Sequence, residues 1–162
     1  MSAAESVAGD VIVRHLRPDD LEAVVALDAR HVGRRRDEFF RLKLRQAMTD
    51  TGITVSLAAE QRGRFVGFLL ARVFYGEFGV TEQVAMLDVI GVHPDFGGQG
   101  VATALLDQLC TNLRGLGIGT LRTEVGWHNQ ALLAFFHREG FALAQRVCLD
   151  LDLRRPAPST EA

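Results

Sequence analysis

Two carboxylates and a cluster of glycines are the residues whose types and spacing could do chemistry. Gly97, Gly98 and Gly100 follow the apolar segment MLDVIGV and precede the helical pattern VATALL. Glycine permits positive φ and close backbone approach to a ligand, and a helix start presents N–H groups without intrahelical acceptors at the positive end of the helix dipole. Such a turn can cradle phosphate. It is not the dinucleotide fingerprint, because Thr103 stands at the third glycine position, nor a P-loop, because no Gly-Lys-Ser/Thr follows. Gly91 inside the preceding segment is the kind of strand glycine that marks a bulge or a close backbone approach. Asp88 shares a strand face with Ile90 and Val92 by period-2 alternation, and Glu124 lies in the later segment TLRTEV. A carboxylate at either position could serve as a general acid or base. His15, His31, His93, His128 and His137 show no metal-ligand spacing with cysteines or acids, so no metal is expected.

The elements that must position these groups follow from periodicity. VIVRHL alternates like a strand. Pro18, Asp19 and Asp20 open a helix with apolar Leu21, Val24, Val25 and Leu27, and Asp19 with Glu22 has the spacing of a capping box. A second helix is expected from Asp37 to Met48. TVSLAAE and FVGFLLARVF, separated by Gln61 to Arg64, read as a β-hairpin. MLDVIGV is a central strand, Val101, Leu105, Leu109 and Leu113 mark a helix ended by Gly115 and Gly117, and TLRTEV is a further strand. NQALLAFFHRE is a helix stopped by Gly140, and FALAQRVCLDLDL a final strand or pair. The order β-α-α-β-β-β-α-β-α-β defines a mixed α/β layer fold of α+β character.

The glycine segment resembles the acyl-CoA-binding core of the GNAT N-acetyltransferases, Q/R-x-x-G-x-G/A after a strand ending in Val-x-Pro. Here it reads Gly97-Gly98-Gln99-Gly100-Val101-Ala102 after Val92-His93-Pro94, with Gly97 where the family usually has Gln or Arg. The later family pattern Asn-(x)6-Tyr-x-x-x-Gly-Phe appears as Asn129, Phe136, Gly140 and Phe141. The resemblance covers nearly the whole chain. It implies a central, mostly antiparallel sheet whose fourth and fifth strands splay, with flanking helices, and acetyl-CoA as cosubstrate. Backbone groups of Ile90, Gly91 and Val92 would hold the pantetheine arm, and Gly97 to Ala102 the pyrophosphate. Asn129 and Phe136 would belong to the same cofactor site. LRTEVGWHN resembles the fifth strand of the ribosomal-protein N-terminal acetyltransferases, where Glu-Val-x-x-x-Asn carries the base, so Glu124 is the first candidate and Asp88 the second. Phe136 replaces the tyrosine thought to protonate the leaving thiolate. The Arg34-Arg35-Arg36 run falls where that family walls its acceptor site, and Trp127 and His128 fall at its border.

Composition bounds these readings. At 162 residues and 17.8 kDa the chain suits one domain, with 10–153 as the folded unit and 1–9 and 154–162 as tails. A formal charge of −2 lacks the basic footprint of a nucleic-acid binder. No apolar run is long enough for a membrane span, the start lacks an export signal, and Cys110 and Cys148 cannot build a disulfide framework. A cytoplasmic protein is expected, acting on a small-molecule or protein amine, with homodimerisation a habit of the family. The alternative is a non-catalytic acyl-CoA-binding module, suggested by Gly97 and Phe136. A third reading is a nucleotide-phosphate binder using the same glycine turn.

Overall fold

The computed structural model describes residues 11–49, 55–75, 79 and 81–154, so nearly all of both expected tails lies outside the described residues. The chain divides into two units, Met1–Gly126 and Trp127–Ala162. The first carries β1 (Val11–His15), α1 (Leu21–Val32), α2 (Asp37–Thr49), β2 (Leu57–Gln61), β3 (Arg64–Tyr75), β4 (Gln83–Val92), α3 (Val101–Gly115) and β5 (Leu121–Thr123). Its sheet runs in the order β1-β2-β3-β4-β5, antiparallel except for the parallel β4–β5 pair.

Local chemistry explains the element boundaries. The β2–β3 hairpin closes on two residues, Arg62 (φ 50°) and Gly63 (φ 73°), with Gln61 opposite Arg64. Positive φ at both turn residues matches the twist of a right-handed hairpin. Gly33, at φ 79°, ends α1 by donating its N–H to the Ala29 carbonyl at 2.8 Å. The expected capping box does not form. Asp20 precedes α1 and accepts the Arg17 N–H at 2.7 Å, and Glu22 binds Arg35 instead, through two hydrogen bonds of 2.9 Å.

The two sheet faces bury different helices. Leu16, Val24, Val25, Leu27, Phe40, Leu44, Ala58, Phe68 and Leu70 form one core between the sheet and α1 and α2, with Val89 packed against it. On the opposite face α3 buries Val101, Leu105, Leu106, Leu109 and Leu113. Gly67 lets α3 approach, since a Cβ there would stand 2.9 Å from Val101 Cγ1. Gly91 does the same on the α1 face, where a Cβ would meet the Phe68 ring at 2.9 Å and Leu27 at 3.3 Å.

Arg14 ties the start of the sheet to the entry of α1. Its guanidinium bonds both Asp20 oxygens at 2.8 Å and also reaches Glu60. Burial pushes the Asp20 carboxyl up, but the hydrogen bonds from Arg14 and from the Arg17 N–H outweigh it and hold the group below its ordinary range. A carboxyl whose folded pKa lies below its unfolded value, ~3.9, stabilises the fold above that pH and loses the contribution as pH falls through the folded pKa. Asp20→Asn is therefore expected to lower stability at neutral pH and to flatten the loss of stability on acidification. Urea unfolding between pH 7 and pH 3 measures both.

The second unit holds α4 (Gln130–Arg138). The expected strand in FALAQRVCLDLDL is not formed: residues 141–152 carry no strand, and Leu143, Val147, Leu149 and Leu151 are exposed. A strand exists only through pairing, and among the described residues of this unit α4 is the sole regular element.

Candidate active site

The site is built on a fork in the sheet. β4 and β5 pair only at Ala85–Leu121, Met86–Arg122 and Leu87–Thr123, and the Thr123 hydroxyl closes the pairing by donating to the Leu87 carbonyl at 2.9 Å. β4 continues five residues further while β5 stops, so Glu124 follows the strand rather than lying on it as TLRTEV suggested. Asp88 and Glu124 are thus the first residues beyond the last pair on the two sides of the fork.

A β-bulge at Asp88 sets what β4 offers to that fork. Leu70 pairs with Val89 and Ala71 with Leu87, leaving Asp88 without an opposite residue. Before the bulge Ala85 points its N–H at β5, bonding the Thr120 carbonyl. After it, the His93 N–H donates to the Val66 carbonyl at 2.8 Å, so Gly91 and His93 turn their polar groups to β3 and Ile90 and Val92 turn theirs to the open side. Of the expected Ile90, Gly91 and Val92 backbone groups, those of Ile90 and Val92 turn to the open edge and those of Gly91 do not.

The bulge also corrects the expected face of Asp88. Arg72 follows Phe68 and Leu70 by unbroken alternation, and its Nε lies 3.1 Å from Asp88 Oδ2. The carboxylate accordingly lies on the α1 and α2 face with Val89, not with Ile90 and Val92, because an inserted residue resets the period of 2. Its oxygens are committed to Arg72, whereas Glu124 is exposed.

A cavity of about 440 Å³ opens between α1 and the end of β4. Ile90, Gly91, Val92 and Gly97 line it, together with apolar Leu27, Phe68, Val89 and Pro94 and polar Asp28, His31 and His93. Asp28 is buried and bonded through both oxygens to Arg36, at 2.6 and 2.8 Å, and the Arg36 guanidinium also stands over the Phe39 ring. His31 Nε2 lies 2.6 Å from the Val92 carbonyl oxygen. His93 accepts the Asp95 N–H on Nδ1 at 3.1 Å, which leaves the proton of the neutral ring on Nε2. Burial, aided by the positive charges of Arg30 and Arg64 and opposed by Asp95, holds His93 below the usual histidine range, so it is neutral at pH 7.

Asp28, His31 and Arg72 were not singled out as site residues by the sequence. A signal existed for Asp28, which lies seven residues after Leu21 on the apolar stripe of α1, where a polar residue needs a partner. Of the arginine run, Arg35 binds Glu22 and Asp37, Arg36 binds Asp28, and Arg34 is exposed.

Next to the cavity the glycine turn leads into α3. Gly98 (φ 72°) and Gly100 (φ 79°) both adopt positive φ, and nothing lies within 4 Å of where either Cβ would stand. The first helical bond runs from the Ala104 N–H to the Gly100 carbonyl, so the N–H groups of Val101 and Ala102 have no intrahelical acceptor. No side chain caps this end and no acid occupies its first turn. An anion can approach it, and the open space beside Gly98 and Gly100 fits a bulky phosphate ester. Gln99 is exposed, while the Val101 side chain is buried and can offer only its backbone.

Asn129 and Phe136 belong to the second unit. Asn129 caps α4, its Oδ1 accepting the Leu132 N–H at 3.2 Å. Phe136 is buried against Phe135 and Phe141, and Gly140 (φ 93°) lets the Phe141 N–H return to the Phe136 carbonyl at 2.9 Å. Trp127 is 81% exposed and its ring lies 5.5 Å from that of His128.

A sheet that forks beside an uncapped helix start defines a class of α/β domain suited to a long phosphate-bearing ligand laid along a strand. Within that class, the chain belongs to the Acetyltransferase (GNAT) family, whose model matches residues 19–141. It is 32% identical over 136 residues to mycothiol acetyltransferase of Propionibacterium freudenreichii, covering 80% of this chain and 42% of that protein. It is 35% identical over 90 residues to the ribosomal protein bS18-alanine N-acetyltransferase of Escherichia coli, covering 53% of this chain and 61% of that one. The chain thus spans about half the length of these curated relatives. A solved aminoglycoside N-acetyltransferase in complex with CoA shares the fold, with a TM-score of 0.73 at 19% identity over 88% of this chain and 95% of that chain.

Proposed function

We propose that this protein transfers an acetyl group from acetyl-CoA directly to a primary amine. The observation that carries the reading is the fork: Ile90 and Val92 expose strand polar groups next to an uncapped helix start on two positive-φ glycines. The N–H groups of Val101 and Ala102 hold the pyrophosphate, aided by the helix dipole. The backbone of Ile90 and Val92 pairs with the amides of the pantetheine arm, which takes the place that β5 vacates. Acetyl-CoA supplies an activated thioester.

The chain's own groups do the rest. Glu124, at the mouth of the fork, accepts the ammonium proton, directly or through water, and so makes the amine a nucleophile. A backbone N–H in the Ile90-to-Val92 stretch faces the oxyanion that develops as nitrogen attacks the carbonyl carbon. The C–N bond forms, the nitrogen gives up its remaining extra proton to water, the C–S bond breaks, and the thiolate departs. Phe136 has no hydroxyl to protonate it, but thiols titrate near ~8.5, so water suffices. Relatives named for mycothiol and for a ribosomal-protein alanine support an amine acceptor, small molecule or protein. Among the described residues no helix is long and apolar enough to cross a membrane. A cytoplasmic setting and a homodimer belong to this reading.

The test is calorimetry with CoA and with ATP, followed by release of thiol from acetyl-CoA in the presence of an amine panel. CoA binding that ATP does not displace, with amine-dependent thiol release, is expected. CoA binding without such release would leave a module that only binds acyl-CoA, and equal competition by ATP would favour a nucleotide-phosphate site.

A further inference from the structure

We propose that His31 guards the Val92 carbonyl, holding it with its Nε2–H until acyl-CoA arrives and then surrendering it to an amide of the pantetheine arm. This rests on the reading of the fork as a CoA site. The distance from Nε2 to the carbonyl oxygen is 2.6 Å, shorter than the usual ~2.9 Å of an N–H···O bond. That oxygen is a backbone acceptor turned to the open side of β4, beyond the point where β5 has left the sheet. His31 reaches it from the last turn of α1, across 61 residues of sequence, and its ring forms part of the wall of the same cavity as Ile90, Gly91 and Val92. A donor from the pantetheine arm that reaches this oxygen along the open edge meets the imidazole already bonded to it. One N–H donor then replaces another, and the exchanged imidazole turns into the cavity beside Asp28. Cofactor binding thereby changes the wall that an acceptor meets.

The sign of the effect separates a guard from a structural support. Removing a competing donor tightens CoA binding, while removing a support weakens it. His31→Ala is expected to bind CoA about 3- to 10-fold more tightly by calorimetry, the size of one net hydrogen bond. His31→Gln, whose amide N–H can still donate to Val92, should stay near the wild-type value. Adenosine 3′,5′-bisphosphate, which lacks the arm, should bind both variants as it binds the wild type. In nitrogen-15 spectra of the wild-type protein, the His31 Nε2 resonance should move with CoA and stay in place with the bisphosphate. Weaker or unchanged CoA binding by His31→Ala, or an Nε2 resonance unmoved by CoA, overturns the guard while leaving the CoA site standing. Should the alanine variant fail to fold, the wild-type resonance alone decides. A wild-type protein that does not bind CoA overturns both.

Discussion

Glu124→Gln is expected to lower turnover by ~10²-fold or more while leaving CoA affinity within about 2-fold, because the amide keeps the shape of the side chain and cannot accept a proton. The geometry makes the contrast with Asp88 sharp. Both residues stand at the first step beyond the last β4–β5 pair, but Asp88 is held by Arg72 at 3.1 Å on the α1 and α2 face, and Glu124 is exposed at the mouth of the fork. Asp88→Asn should accordingly cost less turnover, with part of its effect appearing as lost stability from the broken ion pair. Steady-state kinetics and thermal melts of both variants measure this. The roles must be exchanged if Asp88→Asn alone loses turnover at full stability, and if neither substitution slows acetyl transfer, no carboxylate at the fork takes the proton.

Gly100→Val is expected to weaken CoA binding by more than ~10-fold in a protein that still folds. Gly100 has φ 79°, a conformation that costs a branched residue ~1–3 kcal/mol, and it is the residue from which α3 starts. Nothing of the protein lies within 4 Å of the added Cβ, so the loss comes from backbone strain and from methyl groups in the space a pyrophosphate needs. A reorganised turn would no longer aim the Val101 and Ala102 N–H groups together. Calorimetry decides, with circular dichroism to establish folding. A folded Gly100→Val protein of unchanged CoA affinity would refute the phosphate-cradle assignment.

How much of this could be read beforehand depends on whether the signal is local. The glycine turn, the start of α3 and the β2–β3 hairpin are written in short-range chemistry, positive φ at glycine and apolar spacing of 4, and the structure places them where the pattern does. The face of Asp88 was not legible, because alternation assumes an unbroken ladder and the bulge shows only in the pairing of Leu70 and Ala71 with Val89 and Leu87. The length of β5 was misread for the same reason, since TLRTEV has strand propensity throughout and only the divergence of its partner ends it at Thr123. His31 bonds Val92 across 61 residues, which no spacing announces, while Asp28, whose place on the apolar stripe of α1 called for a partner, finds it in Arg36. The arginine run illustrates the converse, as two of its three members serve ion pairs that a charge count cannot foresee.

The extra residue at position 88 acts on everything downstream of it as a change of phase. Upstream of it, odd-numbered residues of β4 turn to β5; downstream, even-numbered ones turn to the open side that β5 has left, and the odd ones face β3. The same segment paired as an unbroken ladder, with residue 88 in register and no bulge, would turn the peptide groups of Val89 and Gly91 outward. It would also rotate Ile90 and Val92 into the ladder and send their side chains to the α1 face, where Phe68 and Leu27 already fill the room beside Gly91. What position 88 contributes to that arrangement is a count, independent of the chemistry of its side chain. The ligand-facing edge of this sheet therefore depends on where the ladder skips a residue, and not on which side chain stands at the skipped position.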